Sequence, residues 1–258
     1  MIKVVIIFLV CFSFFSNIVF ADQIFITYRD DGNETIWDGK WSFLQEWKRT
    51  SEDIIEYDDG RKIAIKTGHD YENIYVLINF ISDKTIMRNA DRTIVCFDTH
   101  NDKKENPDEN DYCFLIALGR SNPITLTGGH YSAQSGYWKT IANHEKLIAI
   151  AEMSDENDRY THSPHATYEF RIPTEVIGSS NIYGFYVNIF DANSQKFYSW
   201  PKDSFSDNYP FIASPNQWGN LISPDKSIPE FELPLFVILT SIITITLISR
   251  LKMSIMLK

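Results

Sequence analysis

The sequence predicts an all-β fold, an antiparallel β-sandwich, and three observations carry that expectation. Short apolar runs recur along the middle of the chain, Tyr, Ile, Val, Phe and Thr fill them, and helical periodicity is absent except over residues 42–49. Turn-forming pairs such as Asp38-Gly39, Asn106-Pro107 and Gly128-Gly129 punctuate the runs, as in a sandwich of many short strands.

In chain order the strands are expected over residues 24–28, 62–66, 74–80, 93–97, 112–118, 147–152, 166–172 and 183–190. Asp38-Gly39 supplies a turn that tolerates positive φ after the first of them. Residues 92–98 and 112–118, joined by a polar loop, should close a hairpin that carries Cys96 and Cys113. A cross-strand disulfide suits these cysteines in an oxidising compartment, and two buried free thiols acting as small hydrophobes suit them equally. Pro173 ends a strand whose further pairing would need the amide proton it lacks. Asn188 and Asp191 close a long apolar run at a sheet edge, where polar groups meet solvent or a ligand.

The two ends of the chain are apolar. Residues 1–21 read as a secretory signal peptide, with Lys3, an apolar run over 4–15, a polar break at Ser16 and Asn17, and Val19-Phe20-Ala21 before Asp22. Residues 233–249 are uncharged and followed by Arg250, Lys252 and Lys258. As a helix this run covers roughly 25 Å of a hydrocarbon core about 30 Å thick, and snorkelling basic side chains close the gap. The expected organisation is therefore signal peptide 1–21, sandwich 22–222, linker 223–232, transmembrane helix 233–249 and cytoplasmic tail 250–258. The basic residues beyond the span put the domain outside the cell membrane. Just ahead of the span, Pro229-Glu230-Phe231 resembles the PEF-type sorting signals of archaea, which implies an archaeosortase-like processing enzyme as a partner.

All 34 acidic residues lie within residues 22–232, whereas Lys3, Arg250, Lys252 and Lys258, four of the 24 basic ones, lie outside it. A domain this acidic argues against nucleic acid and against anionic membrane faces as partners. Six scattered histidines form no zinc motif, and neither a nucleophile elbow nor a phosphate loop occurs, so catalysis is not expected. Cys-x-x-Cys-His is absent too, which excludes covalent c-type haem. Asn33-Glu34-Thr35 is the one glycosylation sequon.

A series of short motifs narrows the reading. Ile36-Trp37-Asp38-Gly39-Lys40, followed by Glu46-Trp47, resembles the opening of family 9 carbohydrate-binding modules and their DOMON-like relatives. Residues 70–80 and 91–98, then Tyr168-Glu169-Phe170-Arg171-Ile172-Pro173, residues 183–191, Trp200-Pro201 and residues 217–221 follow in the family's order. The resemblance covers roughly residues 36–222 and implies a DOMON-like, jelly-roll-like sandwich that binds a glycan without catalysis. Within it Trp37, Trp47 and Glu169 read as core or turn-fixing residues.

Sugar binding needs flat apolar faces for the pyranose C–H surface and polar groups around them for the hydroxyls. Tyr137, Trp138 and Trp200 are the candidate faces, and the resemblance implies a sugar held between two rings, for which Trp138 and Trp200 are the expected pair. Arg120, Asn188, Asp191 and Gln195 are the candidate hydrogen-bonding groups. The resemblance also implies structural Ca²⁺, and the oxygen-rich loop after residue 97 offers Asp98, Asn101, Asp102 and Asp111 as ligands, without the EF-hand spacing. Two other functions remain open: a b-type haem domain, with Met87, Met153, His130 or a lysine as axial ligand, and an envelope or adhesion component without a small ligand.

Overall fold

The computed structural model describes residues 22–29 and 35–224. The predicted signal peptide, the sequon at Asn33, the Pro229-Glu230-Phe231 motif and the apolar run 233–249 lie outside the described residues. Among the described residues no helix is long and apolar enough to cross a membrane.

Two face-packed sheets make up the domain. With strands numbered in chain order, the larger sheet runs β1 (Gln23–Phe25), β14 (Gly219–Ile222), β12 (Ile182–Asp191), β6 (Arg92–Asp98), β7 (Asp111–Ala117), β8 (Ile124–Thr127) and β9 (Lys139–Ile141), and β13 (Lys196–Trp200) also pairs with β12. The smaller sheet runs β10 (Ile148–Met153), β11 (Ala166–Pro173), β5 (Asn73–Phe80), β4 (Lys62–His69) and β2 (Thr27–Tyr28), and β3 (Ser51–Glu56) also pairs with β4. A short helix, α1 (Thr174–Ile177), follows β11.

The period of two sorts side chains to the two faces of each sheet. In β6, Val95 and Phe97 enter the core between the sheets, where they join Phe114, Phe185, Ile65, Val76 and Phe170, all fully buried. Ile94 and Cys96 point the other way, onto the outer face of the larger sheet. Cys96 stands directly opposite Cys113, and the two form a disulfide with their Cα atoms 4.1 Å apart.

Three expectations need correction. The sandwich is mixed rather than purely antiparallel, because the predicted strand over 24–28 divides: β1 pairs in parallel with β14, and β2 pairs in parallel with β4 of the other sheet. Ile26, buried between the two halves, donates its N–H to Ile222 and marks the crossing. Residues 42–49 form successive turns instead of a helix. Their aromatic and aliphatic spacing serves a lid on the outer face of the smaller sheet, where Trp41 and Trp47 pack on Tyr75 and Leu77. Finally, β3, β8, β9, β13 and β14 are real strands too short or too polar to stand out from alternation alone.

That lid is fastened by a buried carboxylate. Glu169 accepts hydrogen bonds from Trp47 Nε1 at 3.0 Å and from the Gly39 N–H at 2.8 Å. Burial first, then the neighbouring Glu46, holds its pKa well above the usual carboxylate range. Gly39 is required for two reasons: its φ is +86°, and a Cβ there would meet the Glu152 nitrogen at 2.8 Å.

Candidate functional site

The outer face of the larger sheet is only partly covered. Three flat rings lie across it above the disulfide: Tyr186 stacks on Trp218 at 5.8 Å, and Trp218 on Trp138 at 6.3 Å, with interplanar angles of 14° and 13°. Trp218 is tied down by its Nε1 donating to the Ala213 carbonyl at 2.9 Å. Trp138 sits at the end of the β8–β9 loop, which is braced by the Ser135 hydroxyl donating to the Trp138 carbonyl at 2.7 Å and by the Ser132 N–H donating to Gly136 at 2.6 Å.

Between this loop and the segment that follows β13 opens a cavity of about 330 Å³. Trp138, itself only 5% exposed, forms part of its wall with Leu126 and Thr140. Tyr131 and Tyr209, 73% and 63% exposed, line it from the loop and from the opposite segment. His130, Ser132, Ser135 and Lys139 add polar atoms, and no carboxylate lines the cavity. Exposed rings beside hydroxyls, an imidazole and a lysine ammonium form a surface that can stack on a polyhydroxylated ring and hydrogen-bond its edges.

Beyond Tyr209 the aromatic surface continues. Tyr209 meets Phe211 edge-on at 6.1 Å, and Phe211 stacks on Phe197 at 5.3 Å. Phe197 in turn stacks on the half-exposed Phe205 at 6.4 Å.

The expected site residues are distributed unevenly over this geometry. Trp138 lines the cavity, and Tyr137 packs against its Tyr131 at 5.2 Å. Asn188 lies on the same outer face, buried, with its Nδ2 donating to the Phe211 carbonyl at 3.0 Å and its Oδ1 without a partner among the described residues. The structure does not bring Trp200 to Trp138. Trp200 stands opposite Val187, whose side chain enters the core, so its ring is 6% exposed and packs on Phe185 at 5.7 Å on the inner face of the sheet. A Cβ at Gly219 would collide with that ring. Arg120 is exposed on the β7–β8 turn, and Gln195 folds back in the β12–β13 turn onto the Ala192 carbonyl. Asp191, fully buried, caps the same turn through Asn193 and Ser194. The residues that sequence reasoning missed, Tyr131 and Tyr209, carried one signal: each is a large ring in a polar, turn-rich loop, with no alternation to bury it.

For a metal ion, the loop after β6 is already supplied with cations of its own. Asp102 pairs with Lys104 at 2.8 Å, and Asp98 accepts the N–H groups of Asp102 and Lys103. The Lys103 ammonium donates to the Trp218 and Gly219 carbonyls, and burial pushes its pKa down to about 8. Asp111 accepts the Asp108 N–H at 2.7 Å, and burial, with Asp98 and Asp108 close by, raises its pKa to about 7. Asn101 Oδ1 and Asp111 Oδ1 are buried there without partners among the described residues.

A second carboxylate group gathers at the other end of the sandwich, where β5 leaves, β6 begins and β12 ends. One oxygen from each of Asp83, Asp91 and Asp191 lies within 4.8 Å of the others, and all three residues are buried. Asp83 Oδ2 and the fully buried Tyr168 hydroxyl have no hydrogen-bond partner among the described residues. Burial, with Asp191 close by, raises the pKa of both Asp83 and Asp91. Arg61 Nη2 lies 3.7 Å from Asp191 Oδ2, so this group, like the loop, has a cation of its own beside its orphaned oxygens. The residues considered for haem sit on separate elements: Met87 is exposed in the turn before β6, Met153 ends β10 of the smaller sheet, and His130 borders the cavity.

No protein-family model matches the sequence, and no curated protein matches it. Among solved structures, a family 9 carbohydrate-binding module from Caldicellulosiruptor kristjanssonii in complex with cellotriose aligns over 81% of this chain and 98% of its own, at 13% identity and a TM-score of 0.49. The same module in complex with glucose aligns over 81% and 100%, at 13% identity and a TM-score of 0.48. A candidate carbohydrate-binding protein from Bacteroides uniformis aligns over 79% and 99%, at 9% identity and a TM-score of 0.44.

Proposed function

We propose that the chain is a non-catalytic carbohydrate-binding protein and that the sugar stacks in the cavity between Tyr131 and Tyr209, against Trp138. The observation that carries this reading is the pair of solvent-exposed tyrosine rings lining one cavity that also holds a tryptophan wall and serine hydroxyls. Neither tyrosine is needed to close the core, so both rings are available to stack on a ligand. The apolar ends of the sequence support display of this domain outside the cell, anchored by residues 233–249, with Pro229-Glu230-Phe231 offered to an archaeosortase-like enzyme.

Where a calcium ion is bound, Asp83, Asp91 and Asp191 would hold it, and with Arg61 beside Asp191 it would offset the buried carboxylates at the end of the sandwich where β6 begins. Its role in this reading is structural.

Titration calorimetry of the full-length chain with neutral and acidic oligosaccharides tests the sugar reading. Tyr209→Ala and Tyr131→Ala should each weaken binding roughly tenfold, the equivalent of about 1.4 kcal/mol of lost stacking. Binding unchanged in both variants would refute the site. A Soret band in the purified protein would refute the function in favour of haem.

A further inference from the structure

We infer that the glycan is anionic, with hexuronate carboxylates that pair with Arg92 beside the aromatic row leading out of the sugar cavity; this rests on the carbohydrate-binding reading above. Arg92 begins β6 and points to the outer face, between Phe190 on one side and Ala117 on the other. Its guanidinium lies 4.2 Å above the Phe190 ring and 5.9 Å from that of Phe211, which itself touches Tyr209 of the cavity. Among the described residues no carboxylate pairs with this guanidinium and no hydrogen bond uses its donors. A fork of five N–H groups, held flat by two rings and left unspent, matches the planar geometry of a carboxylate.

The surroundings carry the same sign. The chain has 34 acidic residues, yet the cavity is lined by Lys139 and by no carboxylate. Lys139 is exposed and has no ion pair among the described residues. In a domain so acidic overall, a cavity free of negative charge and flanked by unpaired cations is where an anionic ligand meets the least repulsion. The aromatic row from Tyr209 through Phe211 to Phe197 runs from the cavity to Arg92's neighbours, so one oligosaccharide can stack in the cavity and present a carboxylate to the guanidinium.

The test titrates the full-length chain with three ligands of one backbone: a neutral oligosaccharide, its hexuronate counterpart and its sulfate ester. The hexuronate form is expected to bind about tenfold more tightly than the neutral one, as one charge-assisted pair implies, and the advantage should shrink with added salt. Arg92→Gln should erase that advantage while leaving the neutral ligand's affinity unchanged. Arg92→Lys, which keeps the charge and loses the fork, should retain only part of it. Lys139→Gln, at an exposed position, should reduce the advantage without affecting folding, and thermal unfolding of the Arg92 variants checks that they fold. Equal affinity for neutral and hexuronate ligands would overturn the inference and leave sugar binding intact. A preference for the sulfate ester would overturn the carboxylate assignment. Absence of binding to all three would overturn the carbohydrate reading itself, and this inference with it.

Discussion

Each sheet of this sandwich carries aromatic rings on its outer face, with an arginine stacked among them, and the two arginines are treated in opposite ways. On the smaller sheet, Arg29 lies over Trp47 and Tyr75, at 5.2 and 4.9 Å, and donates to the Thr35 hydroxyl at 2.9 Å and the Glu46 carbonyl at 2.8 Å. The lid over residues 35–50 covers this guanidinium and supplies both of those acceptors, and Arg29 is 1% exposed. On the larger sheet Arg92 has the same stacking and none of the hydrogen bonds among the described residues, and the cavity beside its aromatic neighbours is open. One face is closed for stability. The other keeps rings and donors available, which is what a binding surface needs.

The comparison breaks first at its closed side. Trp47→Ala removes a fully buried ring together with the partner of Glu169, and denaturant unfolding should register a loss of about 3–5 kcal/mol. By contrast, Tyr209→Ala on the open side should stay within about 0.5 kcal/mol of the wild type while weakening sugar binding. A large stability loss from Tyr209→Ala would mean that both faces are structural.

The carboxylate group at the end of the sandwich gives the next effect. Calcium at a hundredfold excess over its Kd should stabilise the wild type by about 3 kcal/mol, read as a rise in Tm that a chelator reverses. Asp83→Asn should lose that response. In chelator the same variant should be more stable than the wild type, because Asp83 is a buried carboxylate with Asp191 and Asp91 close by. Equal Tm with and without calcium in the wild type would remove the ion from the account.

The smallest expected effect concerns pH. Burial raises the Asp111 pKa from its ordinary 3.8 to about 7, so the fold favours the neutral acid. The stability this contributes is complete below the ordinary value and is lost as pH rises through about 7. Wild-type stability should therefore decline between about pH 4 and about pH 7, and Asp111→Asn should flatten that part of the profile. An identical profile in the variant would assign the decline to other buried acids, such as Glu169.

Much of the fold was legible because the core strands are short continuous runs of β-branched and aromatic residues: Ile74-Tyr75-Val76-Leu77-Ile78 and Thr93-Ile94-Val95-Cys96-Phe97 can be read as strands without any partner in view. The parity of a strand with large residues at every position was not legible. Phe197-Tyr198-Ser199-Trp200 places rings on both faces, and only its register against β12 sends Phe197 outward and Trp200 into the core. Hence Trp138 and Trp200 are expected to share one site, whereas their rings lie on opposite faces of the larger sheet. The candidate metal residues met a similar limit. Asp83, Asp91 and Asp191 lie on three separate elements and only tertiary folding gathers them, whereas the oxygen-rich loop after Asp98 is conspicuous in sequence because its charges are adjacent. Two of those charges are lysines: Lys104 pairs with Asp102 of the loop, and Lys103 donates to the Trp218 and Gly219 carbonyls outside it.

Amide hydrogen exchange of the full-length chain, with and without a saturating oligosaccharide, tests the central claim most directly. Protection is expected to rise over residues 128–140 and 205–212, the two walls of the cavity, with the lid over residues 35–50 unchanged. Protection concentrated instead around Trp200 and the β12–β13 turn, or no change at either wall, would contradict it.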